Sequence, residues 1–551
     1  MQVIKRLLPI LVVAIFFALG LWAKIFWLAG LSGFFVLVGI YNLIQKKHAI
    51  LRNYPIVGYI RYFLESFRPE IRQYFLEGNE EEVPFSREQR AVVYDRAKNL
   101  SNIKSFGSLV NFNQPGAEWF LQSGAVKELK NSDFRIMIGE GQCKKPYNAS
   151  ILNSSAMSFG SLSGKAIESI NKGAKKGGFA QNTGEGSISK YHRRHGGDLI
   201  WQIGTGYFGC RNADAGFDES QFIESAQLDC VKMIELKLSQ GAKPGKGGVL
   251  PAAKVTPAIA EARRIPVHQD CISPPVHSAF NSPREMIRFI AKLRELSGGK
   301  PVGIKLCVGQ PWEFMAIAKA MIEEQSHPDY IVIDGTEGGT GAAPTEYLNH
   351  IGMPLLDGFL FVQNVLRGAG LRDKVKLCVS GKLIDAFDIG KILALGADLC
   401  NSARGFMFSV GCIQSRSCHT GECPTGVATQ DPVRQHAINV DNKAERAFHF
   451  HKNTLKALAS IVGTVGYTHP KSLQPHHIAR REQDGHIQLL SHHFYWTDIG
   501  ALLQGKGREH YQIMWDAADA DHFDFPELPD LHSKDYSMRQ RNEVSIFSNS
   551  I

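Results

Sequence analysis

No stripe of lysines and arginines interleaved with aromatics runs through this 551-residue chain, despite a formal charge of +9, so nucleic acid is excluded as a partner. Cysteine is sparse and mostly solitary. Cys143, Cys210, Cys230, Cys271, Cys307, Cys378 and Cys400 have no close cysteine neighbour, which excludes a secreted disulfide framework and fits a reducing compartment. No repeat of solenoid length is present, so the chain is not a stacked array. With 53 glycines and 44% hydrophobic residues it has the means to bury one large core.

What is present begins at the amino end. Leu7–Ala23 and Ile25–Ile44 are apolar runs parted only by Lys24, each about 25 to 30 Å long as a helix. They read as a transmembrane helical hairpin. Lys5 and Arg6 before it and Lys46, Lys47 and Arg52 after it place both flanks, and the rest of the chain, on the cytoplasmic side of the inner membrane. A cleaved signal peptide is the rival reading, but no small-x-small cleavage site follows the first run and a second run comes at once.

Four regions follow from the composition: a hairpin with its basic flank (1–50), a charged, helix-prone connector broken by Pro55, Pro69, Pro84 and Pro115 (51–147), a glycine-rich domain (148–470) and an extension (471–551). In the connector, Ser86-Arg87-Glu88-Gln89 predicts a helix start. Beyond Ala437 the histidine-rich sequence predicts helix to about His493, and the Asp-rich stretch after Trp515 predicts a solvated tail or lid.

Within the third region eight short runs are each followed by a helical segment: Ile151–Ser158, Phe179–Thr183, Met233–Ser239, Val267–Ser273, Val302–Val308, Tyr330–Asp334, Lys376–Ser380 and Asp398–Ala403. Eight strand–helix units predict an α/β fold, a closed (β/α)₈ TIM barrel, with an open doubly wound sheet as the alternative. Glycine and polar residues cluster just after the runs, at the face where such barrels carry their sites. None of the eight runs leads into G-x-G-x-x-G, which argues against an internal NAD(P)H site and for a separate electron donor.

Cys412, Cys418 and Cys423 are the exception to cysteine scatter, and Pro424 follows the last. Thiolates crowded on one loop (411–424), with a proline turning the chain away, suit an iron–sulfur cluster, and three ligands suit one lacking an iron. Zinc on these cysteines with His419 is a second reading, and disulfides or buried thiols a third. His192 and His195 lack a nearby third ligand and read as a polar loop.

Four segments, Ala156-Met157-Ser158-Phe159-Gly160-Ser161-Leu162-Ser163, Asn182-Thr183-Gly184-Glu185-Gly186, Gln240-Gly241-Ala242-Lys243-Pro244-Gly245-Lys246-Gly247-Gly248 and Glu337-Gly338-Gly339-Thr340-Gly341-Ala342-Ala343-Pro344, precede the cysteine loop in that order. Together they resemble the FMN-containing synthase domain of glutamate synthase over about residues 148–432. The resemblance implies a (β/α)₈ barrel holding FMN beside a [3Fe–4S] cluster, with Cys412, Cys418 and Cys423 as its ligands. It implies flavin contacts from Met157, Ser158 and Gln240, the phosphate on Gly381, Lys382, Arg404 and Gly405, Lys305 facing the ring, and Gly338, Gly339 and Thr340 lining its pocket. For Lys305 a snorkelling surface lysine is the bland alternative, and for the glycines a tight turn.

For the substrate the resemblance implies Glu185, Lys243 and Arg263 around a dicarboxylate 2-oxo acid; Arg264 is an equal candidate for the arginine. The family usually has an acid where Lys246 stands and a glutamine where Val249 stands, so the oxo-acid site is altered. The glutaminase domain of the large members has no counterpart here. The expected activity is reductive amination of a 2-oxo acid, 2-oxoglutarate first, to L-glutamate, with ammonia from solution or a separate amidotransferase and electrons from ferredoxin or another carrier protein. A membrane-bound amine or amino-acid dehydrogenase feeding quinone, and a non-catalytic barrel scaffold, are the alternatives.

Overall fold

The computed structural model describes residues 2–45, 49–78, 84–101, 103–250 and 252–524. The chain divides into two compact units, Met1–Arg87 and Glu88–Ile551. In the first, helices Gln2–Trp22 and Phe26–Ile44 pack side by side, joined at Lys24 in the left-handed conformation (φ 54°). Among the described residues only Phe26–Ile44, 19 residues, is long and apolar enough to cross a membrane; the apolar part of its neighbour, Leu7–Trp22, is shorter. A further helix, Gly58–Ile71, continues as the wider turn Arg72–Leu76.

The second unit is built on a closed barrel of eight parallel strands, taken in chain order: β1 Leu152–Ser154, β2 Gln181–Asn182, β3 Leu199–Ile203, β4 Val231–Lys237, β5 Val302–Leu306, β6 Tyr330–Asp334, β7 Lys376–Ser380 and β8 Leu399–Ser402. Pairing of Cys400 with Leu152 closes β8 on β1. The expected fold is therefore found, with one exchange among its strands. Val267–Ser273 is not in the barrel: its Cys271–Ile272 pairs antiparallel with Val249–Leu250 in an excursion after β4. Its place in the count is taken by β3, Leu-Ile-Trp-Gln-Ile, buried throughout, whereas Val267 to Asp270 are exposed. A strand covered on both faces reads as a continuous apolar run, and the polar Gln269-Asp270 pair breaks that rule.

The interior changes character along the barrel axis. At the end where the strands begin, the antiparallel pair Arg135–Ile138 and Tyr147–Ser150 seats Ile136, Ile138 and Ala149 among Ala180, Ile200, Met233, Tyr330, Val332, Cys378 and Leu399, so that the floor is oil. One layer up, at alternate positions on the same strands, stand Asn182, Gln202, Glu235, Lys305 and Asp334, all buried. The apolar floor thus carries a polar ceiling at the strands' carboxyl ends.

Outside the barrel, helix Gly164–Gly177 is capped by Ser163, which accepts from Ala166 N at 3.2 Å, and packs along the 25-residue helix Val440–Thr464, capped by Asn439. The stretch to His493 is not helical throughout: Ile478–Arg481 and Ile487–Leu489 join Glu118–Phe120 in a three-stranded antiparallel sheet. Nor is the stretch after Trp515 solvated at its start. Ala518 and Ala520 are buried and Arg284 Nε donates to Asp521 at 2.6 Å; the remaining tail, 525–551, lies outside the described residues.

Trp201, fully buried on β3, stacks on Phe222 with ring centroids 5.3 Å apart. Trp201→Ala should destabilise the barrel by about 3–5 kcal/mol, read as a lower denaturation midpoint of the folded protein.

Candidate functional site at the barrel mouth

Where the strands end, two loops meet so closely that side chains have no room. Gly184 (φ +64°) would place a Cβ 2.6 Å from Ser158 N, and Gly241 would place one 1.8 Å from Gly335 O. These two glycines lock the β2 loop onto the β1 loop and the β4 loop onto the β6 loop. Gly241 N also donates to Asp334 Oδ2 at 3.1 Å.

Asp334, on β6, pairs with Lys305 of β5 at 3.2 Å, both buried. Burial alone would lower the lysine, but Asp334 and Glu235 outweigh it and hold its ammonium above the ordinary range. Lys305 is therefore an interior cation and not a snorkelling surface lysine. Glu235 accepts from Asn182 Nδ2 at 3.0 Å and from Gln202 Nε2 at 2.6 Å, and burial pushes its carboxyl up.

Gly338 and Gly339 lie in the loop after β6, and a Cβ on Gly339 would come 3.2 Å from Arg404 Nε. Arg404 Nη2 donates to Glu337 O at 2.9 Å, so the β6 and β8 loops are joined through it. Burial lowers Arg404 to about 10, with Asp334 and Glu337 opposing. Gly405 is buried in the same short helix, Arg404–Ser409. Gly381 and Lys382 (φ +42°) follow β7 directly. Met157 is buried, and Ser158 Oγ donates to Ser161 within its own loop at 3.0 Å. Thr340 Oγ1 is turned to Ala342 O at 3.3 Å, in its own loop and half-exposed.

Beside this pocket the expected substrate residues converge. Glu185 Oε2 accepts from Lys237 Nζ at 2.8 Å, and the same ammonium donates to Gln240 Oε1 at 2.5 Å. A small pocket is lined by Glu185, Lys237, Gln240, Lys243 and Lys246, with Gly248 between the Glu185 carboxylate and the Lys243 ammonium. Burial by itself would raise the Glu185 carboxyl, but Lys237, Lys243 and Arg263 hold it at about 2. Lys243 is lowered by burial and by its cationic neighbours Lys237, Arg263 and Lys246, against the pull of Glu185.

The helix Pro257–Arg263 sends the two candidate arginines in different directions. Arg263 is buried, donates to Phe159 O and to Cys271 Sγ, each at 3.3 Å, and lies 5.0 Å over the Phe208 ring; its Nε meets no partner. Arg264 turns outward to Glu224. The sequence reasoning missed Lys237, the direct partner of Glu185. Its signal was available: Glu235 and Lys237 stand two apart, in step with Met233 and out of step with the outward Lys232, and so mark the inward face. It also missed Gly204-Thr205-Gly206-Tyr207-Phe208-Gly209, which has G-x-G-x-x-G spacing directly after β3. That segment opens no helix, the next starting at Glu219, so it lacks the helix terminus a dinucleotide needs.

The cysteine loop leaves the helix Arg404–Ser409 and is moored at several points. Tyr94 OH donates to Cys412 O at 2.7 Å, Lys254 Nζ to His419 O at 2.6 Å, and Arg434 Nη1 to Glu422 O at 2.8 Å. Just beyond it, Gln430 Nε2 bridges Gly160 O and Leu162 O, and Ser163 N donates to Val427 O, so the loop docks on the β1 loop. Burial raises Cys412 to about 12 and also raises Cys418, with the other thiols adding to both. Cys423 is drawn below an ordinary thiol despite its burial, through the Thr425 hydroxyl and backbone N–H groups of Ala428, Thr425 and Val427. Among the described residues no group of three or more His, Cys, Asp or Glu side chains is gathered closely enough to hold a metal ion as it stands. His192 and His195 are engaged locally, with Ser189 and Glu168 respectively.

The conserved region in glutamate synthase matches residues 98–468 of the chain. The glutamate synthase large subunit-like protein YerD of Bacillus subtilis (strain 168) is 37% identical over 493 residues, 82% of this chain and 94% of that protein. The archaeal-type glutamate synthase [NADPH] of Thermotoga neapolitana is 34% identical over 327 residues, 59% of this chain and 61% of that protein. A closed parallel barrel, a carboxylate among cations at its mouth and the extent of these matches lead to one conclusion: the chain belongs to the glutamate synthase family.

Proposed function

We propose that the protein is a glutamate synthase-like oxidoreductase that aminates a dicarboxylate 2-oxo acid, 2-oxoglutarate first, with external ammonia, holding FMN and a [3Fe–4S] cluster and taking electrons from ferredoxin or another carrier. The carrying observation is the charge at the mouth. Lys237, Lys243, Lys246 and Arg263 face a single carboxylate, Glu185, so the site is poised for a small molecule with at least two negative charges. Phe26–Ile44 supports anchoring in the cytoplasmic membrane with the barrel on the cytoplasmic side. That helix also favours a second reading, a membrane-bound amine dehydrogenase delivering electrons to quinone.

The residues fit the groups proposed. Arg404, a half-buried guanidinium beside Gly405, follows β8 as Gly381 and Lys382 follow β7, the two loops where barrels hold phosphate, and Gly339 leaves space against it that a Cβ would fill. Lys305, kept cationic by Asp334, would face the flavin ring. Cys412, Cys418 and Cys423 would ligate the cluster, the last with its thiol drawn below the ordinary range. When bound, the flavin supplies hydride transfer and the cluster single-electron transfer.

This chain's own side chains do the rest. Arg263 and Lys237 bind carboxylates, the former through its unpartnered Nε. Glu185 stays ionised across the working pH range and accepts the N–H of the incoming amine. Lys243, with its ammonium destabilised, donates a proton to the oxygen that leaves as water.

Purified anaerobically, the protein should release FMN on denaturation and contain iron and acid-labile sulfide in the ratio of a [3Fe–4S] centre, and Cys423→Ser should lose the iron. Reoxidation of the reduced flavin should quicken when 2-oxoglutarate and ammonia are added together; no acceleration rejects the glutamate assignment.

Glu185→Gln should lower kcat by about 10²- to 10⁴-fold. Lys243→Ala should raise the KM for the oxo acid by roughly 10- to 150-fold, the equivalent of about 1.5–3 kcal/mol for a charged hydrogen bond. Because the charged lysine binds the anion and its pKa is depressed, affinity should fall on the alkaline side at a lower pH than an ordinary lysine would give. Lys243→Arg should move that limb upward in a pH profile of kcat/KM.

A further inference from the structure

The helix Gly58–Ile71 and its continuation to Leu76 leave a large apolar surface open. Ile60, Phe63, Leu64, Phe67 and Ile71 are each at least 39% exposed, and Phe75 beyond them 83% exposed. At about 100° per residue these five fall on one stripe, and Arg61, Arg68 and Arg72 fall together on a second stripe about 100° round from it. Glu65, on the arginine side, is paired with Arg61 at 3.1 Å. A face of this kind, apolar along one edge and guanidinium along the next, is that of a helix lying in the plane of a lipid surface.

Its depth is fixed by a second, independent contact. Asn42, fully buried two residues before the end of the apolar helix Phe26–Ile44, donates through Nδ2 to Pro55 O at 2.7 Å and to Tyr59 OH at 3.2 Å. Tyr59 stands in the first turn of the amphipathic helix, so that helix starts level with the point where the apolar helix ends. A tyrosine held there sits where aromatic side chains mark the boundary between hydrocarbon and headgroups.

We propose that Gly58–Leu76 lies on the membrane surface, its phenylalanines among the acyl chains and Arg61, Arg68 and Arg72 on anionic lipid headgroups. This rests on the reading of Phe26–Ile44 as a membrane span. The occupant is argued from charge: three arginines on one edge complement the negative cytoplasmic leaflet, and all three lie within reach of one headgroup layer when the apolar stripe faces down.

The test uses the full-length protein with p-benzoylphenylalanine in place of Phe67, in nanodiscs of phosphatidylcholine with or without phosphatidylglycerol, irradiated and analysed by mass. A lipid adduct is expected, with a yield about fivefold higher in the anionic discs, and the variant R61Q/R68Q/R72Q should lose that preference. An adduct to the protein's own catalytic unit or to a second copy overturns the proposal, as does no adduct or a yield indifferent to headgroup charge. The same photoreactive residue in place of Phe34 reports the span separately. Lipid adducts at position 67 without any at position 34 would sustain the surface helix and reject the span, and the reverse would reject the helix alone.

Discussion

Asp334 holds the mouth of the barrel together. Its carboxylate meets the Lys305 ammonium from β5 and the Gly241 N–H from the β4 loop, while Gly338 folds back within its own loop against it. Two charges this deeply buried are costly to take from water, and the arrangement is stabilised by their mutual attraction and by the Gly241 N–H on the carboxylate. Removing either partner leaves a bare charge inside the barrel, a loss of about 3–5 kcal/mol. The same carboxylate therefore sets both the charge of Lys305 and the course of the glycine loop that carries Lys243.

The fold class was legible because the alternation of short apolar runs with helical segments is a periodic signal. Which runs formed the barrel was only partly so. Val267–Ser273 carries Gln269 and Asp270 at its centre and Leu199–Ile203 is the better strand former, and only the second finds cover on both faces. The loops carrying Glu185 and Lys243 could be read from glycine spacing, since backbone crowding of the kind seen at Gly184 and Gly241 admits no other residue. Arg263 and Arg264 could not be separated: one helix position, about 100° of rotation, sends one inward and the other to solvent. Lys237 was hidden in a strand judged by its hydrophobicity, where alternation was the better guide.

The mouth is not a neutral copy of a family template. Lys246 lies over the Tyr347 ring at 5.0 Å and lines the same pocket as Glu185, so a cation stands where family members usually carry an acid. A cation there adds to the positive charge around Glu185 and strengthens the attraction of the pocket for a carboxylate.

The helix Glu509–Ala517 buries Tyr511, Met514 and Trp515 against Pro311–Glu323, far earlier in the chain. On the ribosome, therefore, the outer face of Pro311–Glu323 stays uncovered for the roughly two hundred residues of synthesis that separate the two helices, and an apolar surface exposed that long is one that aggregation would exploit.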